Sequence, residues 1–397
     1  MKRAPLLLLL SATIVTFFAA TAGFGQATPQ AKPPQGYYTV VPLHGVSVNA
    51  ARISAAAATT IPMWAYTITS PIDNLPYSGT MVGRSPFFHG ARTTNIPTII
   101  VPVRIVMPDG GVFDPTMPDT TCLPSPTGAT ALSLVQASPV LQPATYTLGG
   151  TIVGTTQYSD AFQRSNFWMN VSVTGDRYHT ILSPVTTLAA VTVNVQPTSG
   201  TTNTSGGCGN IGVMDINWWD PFVLGTIMPS LAAQGVNPTT LPLFLFYNVV
   251  MTQGAPTLTG GTCCILGYHS ATGSPGSPIQ TYSAFDFDTT TLFGSTSSAI
   301  STMSHEVAEW MDDPLGFNAT PAWGRIGQVP GCQANLEVGD PLSGTSFPSV
   351  TMPNGVTYTP QELAFFSWFY RQSPSIGVKG WYSGNGTFTT SQSTVCM

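Results

Sequence analysis

Of the 397 residues in this chain only four are glutamate, and three of these, Glu306, Glu309 and Glu337, lie between His305 and Asp340. The segment reads Ser304-His305-Glu306-Val307-Ala308-Glu309, then Asp313-Pro314, then Glu337-Val338-Gly339-Asp340. Residues i and i+4 stack one turn apart on a helix, and imidazole and carboxylate are both ligands for zinc. His305 and Glu309 have that spacing. Glu306 follows His305 directly, the position from which the glutamate of an HExxH pattern acts as general base on a metal-held water. The expected metal set is therefore His305, Glu309 and Glu337, with Asp340 as a fourth ligand or a partner to one of them, and Glu306 as the catalytic base. Glu309 replaces a second histidine and makes the motif HExxE, which adds negative charge and weakens the Lewis acidity of the ion. Zinc is the expected ion. Calcium is the alternative, favoured by oxygen ligands and disfavoured by His305.

A helix over Ser297 to Asp312 must carry these groups. Ser295 to Ser297 supply candidate N-caps and Pro314 stops it. Ile300, Met303, Val307, Trp310 and Met311 recur at helical spacing and form one apolar stripe. At about 100° per residue, His305 and Glu309 project about 40° apart on the opposite side, with Glu306 on the flank. The competing explanation is an ordinary amphipathic helix whose polar face meets water. Two features favour the metal: the chain does not use glutamate as a general surface residue, and a second acidic pair follows at Glu337 and Asp340 on a loop shaped by Gly339 and Pro341.

The elements before the helix read as strands. Thr98 to Met107 is a buried strand closed by the turn Pro108-Asp109-Gly110-Gly111. Tyr146 to Gln157, Phe167 to Val173, His179 to Leu182 and Thr187 to Val195 read as further strands, with a short helix near Asp160 to Asn166. The Gly/Ser/Thr-rich stretch 196–212 reads as a linker. Beyond it a helix is expected over Pro221 to Gln234 and strands over Leu241 to Thr252, Cys264 to Ser270 and Gln280 to Asp286.

The order strand, Cys264-x4-His269, strand, His305-Glu306-x-x-Glu309, Asp313-Pro314, Trp323, Glu337-x-x-Asp340 resembles zincin-type metalloproteases. It is also similar to the plant phosphate-induced EXORDIUM-like secreted proteins, which carry a comparable HExxE and a later Glu-x-x-Asp. Both resemblances span roughly Asp215 to Asp340. The first implies a metal role for His305, a base role for Glu306, a mixed sheet with an active-site helix and a peptide or protein substrate, although Glu309 stands where zincins carry histidine. The second implies export and a wall or matrix context. The expected fold is therefore α+β, with a zincin-like domain over 201–397 preceded by a β-rich domain over 38–200.

The remaining features bound the setting. Lys2 and Arg3 followed by the apolar run Leu6 to Ala20 read as a secretory signal peptide over 1–25, with a disordered leader over 26–37. Export implies a secreted, extracellular or periplasmic protein, with no membrane association once the signal is removed; the later chain has no run long enough to span a bilayer. Charged residues make up 7% of the chain, against roughly 25% in ordinary soluble proteins. Of 12 Lys and Arg residues two lie in the signal, which leaves 10 against 17 Asp and Glu, a formal charge of −7. No basic cluster exists to neutralise phosphates, so nucleic acid is excluded as a partner. Six cysteines suit up to three disulfides in an exported chain; adjacent Cys263 and Cys264 are expected to have different partners, and Cys332 to pin the loop of Glu337.

Weaker candidates are His269, expected as a satisfied core or cleft histidine, and isolated His44, His89 and His179. Asp215 and Asp220 around Trp218-Trp219 admit a glycosidase. The aromatic run Phe365 to Tyr370 is expected in the core. The functional expectation is a secreted metal-dependent hydrolase, most simply a peptidase, against a non-enzymatic exported binding protein with a structural metal or acidic cluster.

Overall fold

A computed structural model describes residues 35–42, 59–88, 92–119, 121–122, 128–174, 177–204, 207–259, 263–273, 277–293, 300–391 and 396. The expected signal peptide, most of the leader, His44, His89 and Ser295 to Ser297 lie outside the described residues. Tyr37, the last residue of the expected leader, instead opens the first strand.

In chain order the strands are β1 (Tyr37–Val41), β2 (Met63–Thr69), β3 (Pro76–Val82), β4 (Arg92–Val106), β5 (Val112–Phe113), β6 (Ala144–Leu148), β7 (Thr151–Thr156), β8 (Tyr178–Thr187), β9 (Val191–Asn194) and β10 (Gly200–Asn203). They continue with β11 (Ile211–Asp215), β12 (Leu241–Tyr247), β13 (Val249–Thr252), β14 (Cys263–Thr272), β15 (Gln280–Phe287), β16 (Ala319–Ile326), β17 (Val329–Asn335), β18 (Val350–Thr351) and β19 (Thr357–Tyr358). Eleven of them form one mixed sheet in the order β10-β11-β13-β14-β15-β12-β4-β5, with β1 added beside β14, and β8 and β9 beside β4. The architecture is mixed α/β. β12, β14 and β15 are buried almost end to end. Strands covered on both faces lose the in–out alternation, which is why LPLFLFY reads as a continuous apolar run.

Several expectations change. Strands on either side of residue 200 share this sheet: β4 runs parallel to β12, with Thr98 opposite Leu241. The segments 38–200 and 201–397 therefore do not build separate sheets, and the described residues belong to one compact unit. The stretch 196–212 is not a free linker, since Gly200–Asn203 pairs antiparallel with residues of β11. Its composition marks turns, but its threonines are also good strand formers and the pairing decides. Phe167 to Val173 is helical, not extended: Trp168–Val171 and the 3-10 turn Ser172–Thr174 continue the Tyr158–Asn166 helix. A short apolar run does not distinguish the two states. Leu241 to Thr252 splits at Asn248, whose φ of 53° carries the chain from the β15/β4 side of the sheet to the β11/β14 side.

The disulfides are Cys122–Cys208, Cys332–Cys396 and Cys263–Cys264. The adjacent pair bonds to itself, contrary to expectation, because the other four cysteines pair with one another. None is left free among the described residues. The Cys332 bridge does tether β17, the strand that leads to Glu337.

The site helix, Ser301–Asp312, packs against β14 and β15. Its stripe of Ile300, Met303, Val307, Trp310 and Met311 joins a core with Leu243, Leu245 and Phe285. Each such burial contributes about 1.5–3 kcal/mol. A second layer covers the opposite side, where Ala308 joins Trp323, Leu336, Val338 and the Phe365–Tyr370 run. The aromatic run is core, as expected. The helix is thus enclosed on both sides, and its polar face does not meet water.

Candidate metal centre

His305 and Glu306 are fully buried and Glu309 is 1% exposed. This removes the explanation in which they form the solvated side of a surface helix. One turn of helix brings His305 Nε2 to 2.9 Å from Glu309 Oε2. The loop after β17 delivers Asp340 Oδ1 to 3.5 Å from the same nitrogen. His305 Nδ1 lies 3.2 Å from Gln361 Oε1. The Gln361 amide nitrogen donates to the Gly339 carbonyl at 2.7 Å, so its oxygen faces the ring and Nδ1–H is the donor. That bond aims Nε2 at the two carboxylates, the arrangement by which an outer hydrogen bond orients a metal-binding imidazole. The 2.9 Å contact is not aligned as a hydrogen bond, and Nε2 is left without a hydrogen-bond partner.

The backbone is shaped around this ring. A Cβ on Gly339 would lie 2.3 Å from His305 Nδ1, although its φ of −86° is open to any residue. Glycine is needed here for close approach. Gly339 N–H also donates to Glu309 Oε1 at 3.0 Å. Gly339→Ala is therefore expected to push His305 off its position, with a loss of about 1–3 kcal/mol and roughly 10–100-fold of zinc affinity. Thermal melting and competition with a chromophoric chelator measure both; an unchanged zinc affinity would contradict the close fit.

His269, on β14, forms the other half of the centre. Its Nε2 lies 3.0 Å from the Asp313 carbonyl. A carbonyl only accepts, so Nε2 carries the hydrogen. Burial, partly offset by Glu309, holds this histidine down to about 4, so it is neutral and Nδ1 is a lone pair. That lone pair faces Glu306 Oε2 at 3.4 Å and Glu309 Oε2 at 3.9 Å. Glu337 Oε2 lies 4.0 Å from His269 Nε2.

Burial dominates the electrostatics. It pushes Glu306 and Glu337 well above the ordinary carboxylate range, with Glu309 adding to both. Burial and Glu309 together raise Asp340 to about 6 against the pull of His305. Burial also opposes the charge on His305, but Glu309, Asp340 and Glu306 outweigh it and hold its pKa well above the usual value. Burial likewise opposes ionisation of Glu309, yet His305 outweighs it and keeps that carboxylate low. At the helix end, burial raises Asp312 to about 8 and Asp313 to about 7. The ion pairs of this acidic cluster among the described residues are with His269 and His305 alone. Among the described residues no Lys or Arg neutralises it.

Buried charge without a counter-charge is strongly unfavourable, so the cluster must hold protons or a cation. Two groups of ligand atoms converge within 4.8 Å of one another: His305, Glu309 and Asp340, and His269, Glu306 and Glu309. Besides His305 Nε2, the buried atoms Glu306 Oε1 and Glu337 Oε2 lack hydrogen-bond partners. The residues present thus fit a metal ion. Asp340, expected as the fourth ligand, lies beside His305. Glu337, expected as the third, lies instead towards His269. Asp340 is held by Gln333 at 2.9 Å and by Gln328.

The sequence reads His269 as a core or cleft histidine, shows Asp313 only beside Pro314 after the helix, and gives no sign of Gln328, Gln361 or the Asp312 carboxyl. A histidine in an otherwise apolar strand was the available signal for the first. Tyr38 also went unnoticed: its ring stacks on His305 at 3.8 Å, and its backbone N–H and carbonyl both bond the Gln328 side chain at 2.9 Å. The glycosidase pair is otherwise engaged. Asp215 caps the Ile216–Phe222 helix and accepts from Gly254 N–H, while Asp220 accepts from the hydroxyls of Tyr268 and Tyr282. His179 pairs with Asp160 at 2.7 Å.

Comparison with protein-family models, curated proteins and solved structures finds no match to this chain. No helix of the described residues is long and apolar enough to cross a membrane.

Proposed function

We propose that this chain is an exported metal-dependent hydrolase acting on peptide bonds. The observation that carries the metal is the buried cluster of Glu306, Glu309, Glu337 and Asp340, which among the described residues has two histidines for company and no Lys or Arg. An imidazole with carboxylates suits zinc or a similar transition metal better than calcium, which selects oxygen. His305, Glu309 and Asp340 would hold the ion, with Glu337 beside them on the His269 side. When bound, the ion acidifies a water and polarises a carbonyl. Glu306 takes the proton from that water and passes it to the leaving amine. The HExxE order and its likeness to zincins support peptide as the substrate; three disulfides agree with export.

A second reading rests on the burial itself. Structural metal sites are closed, whereas catalytic ones keep a position open, and Tyr38 lies across His305. In that reading the ion only stabilises the fold of an exported binding protein. Elemental analysis of the purified chain, with assay of an unstructured protein substrate before and after chelation, separates them. The hydrolase reading expects at least one ion per chain and hydrolysis that stops on chelation and returns with zinc. Bound metal with no hydrolysis supports the structural reading, and absence of metal removes both.

A further inference from the structure

Resting on the metal reading above, we propose that the centre takes two divalent cations, the second held by His269 Nδ1, Glu306 Oε2 and Glu309 Oε2, with Glu309 shared between them. His269 is the reason. Its Nε2–H is committed to the Asp313 carbonyl at 3.0 Å, so Nδ1 is the nitrogen that faces Glu306 Oε2 at 3.4 Å and Glu309 Oε2 at 3.9 Å. Nδ1 against two carboxylate oxygens requires a proton or a cation among them. An outer hydrogen bond from one ring nitrogen to a backbone carbonyl, with the other free to ligate, is how proteins orient metal-binding histidines.

The second group repeats the first in kind: one imidazole and two carboxylates, all buried, with Glu309 in both. Charge is consistent with this. Deprotonated, as metal ligands are, Glu306, Glu309, Glu337 and Asp340 would carry four formal negative charges at 0–6% exposure. One divalent cation compensates half of them and two compensate all. Paired ions bridged by a carboxylate clamp both the attacking and the leaving atoms of a displacement. Glu306 Oε1 has no hydrogen-bond partner, so Glu306 can ligate through Oε2 and still accept a proton on Oε1.

The test is zinc stoichiometry of the intact chain by native mass spectrometry after equilibration with zinc chloride. Two ions per chain are expected, falling to one in His269→Ala with the His305 ion retained. His269→Gln, which keeps more of the volume, is read beside it. Wild type loaded with Mn2+ gives a reading that needs no variant: bridged ions show exchange-coupled electron paramagnetic resonance, and isolated ions show the ordinary six-line spectrum. Saturation at one ion, two ions unaffected by His269→Ala, or uncoupled Mn2+ overturns the second site and leaves the first intact. Binding of no ion overturns both.

Discussion

Glu306→Gln is expected to lower hydrolysis of an unstructured protein by about 10²–10⁴-fold, the usual contribution of a general base, while at least one zinc per chain is retained. Glutamine has nearly the same volume, so the packing of Glu306 against Gly267, where a Cβ would lie 2.8 Å from the Glu306 carboxyl, is undisturbed. Its amide can still meet the lone pair of His269 by donating. What it lacks is a site for the proton of the attacking water. The ion proposed at His305, Glu309 and Asp340 takes no ligand from it. Steady-state kinetics beside zinc analysis reads the two effects separately. Turnover equal to that of the parent would exclude Glu306 as the base, and loss of all zinc would make it a structural ligand instead.

The second expectation concerns acid. The chelated protein should be more stable near pH 4.5 than near pH 7.5, the reverse of ordinary acid denaturation. Asp340, Asp313 and Asp312 are raised by burial to about 6, 7 and 8, and Glu306 and Glu337 move the same way. An unfolded carboxyl releases its proton near pH 4. Stability from a raised group is complete below that value and is lost as pH rises through the folded pKa. His305, also raised, has the same sign. His269, lowered to about 4, and Glu309, lowered, have the opposite sign, and they are outnumbered. The net loss should be on the order of 3 kcal/mol, or roughly 4 °C in melting temperature for a chain of this length. Zinc should reverse the trend, because ligands bind it deprotonated. Melting curves with chelator and with zinc at pH 4.5, 6 and 7.5 decide; a steady rise of melting temperature with pH in chelator would refute the assignment. Few carboxylates stand elsewhere in the chain to mask the effect, since charged residues are only 7% of it.

The legible parts of this protein were those governed by neighbours in sequence. The helix carrying His305 and Glu309, the strand within Arg92–Val106 and its turn, and the Tyr158–Asn166 helix all follow from local periodicity and turn chemistry. The misread parts depended on partners far along the chain. Phe167 to Val173 is apolar enough for either state, and packing selected helix. The Gly/Ser/Thr-rich stretch looked like a linker until β11 gave Gly200–Asn203 a partner. Nothing local joins Cys263 to Cys264; the other four cysteines pair across 86 and 64 residues and leave these two to each other.

The candidate site divides along the same line. Sequence alone determined that His305 and Glu309 stand one turn apart with Glu306 beside them, because helix geometry fixes relations over four residues. It could not determine what that face meets, because an amphipathic stripe is the same whether its polar side looks into water or into a second layer. Tertiary structure decided this. The C-terminal aromatic layer closed over the helix, β14 turned His269 inward, and the loop of Gly339 brought Glu337 and Asp340 against the two histidines. Removal from water is what turns a run of polar residues into a cluster of charges that must hold protons or a cation.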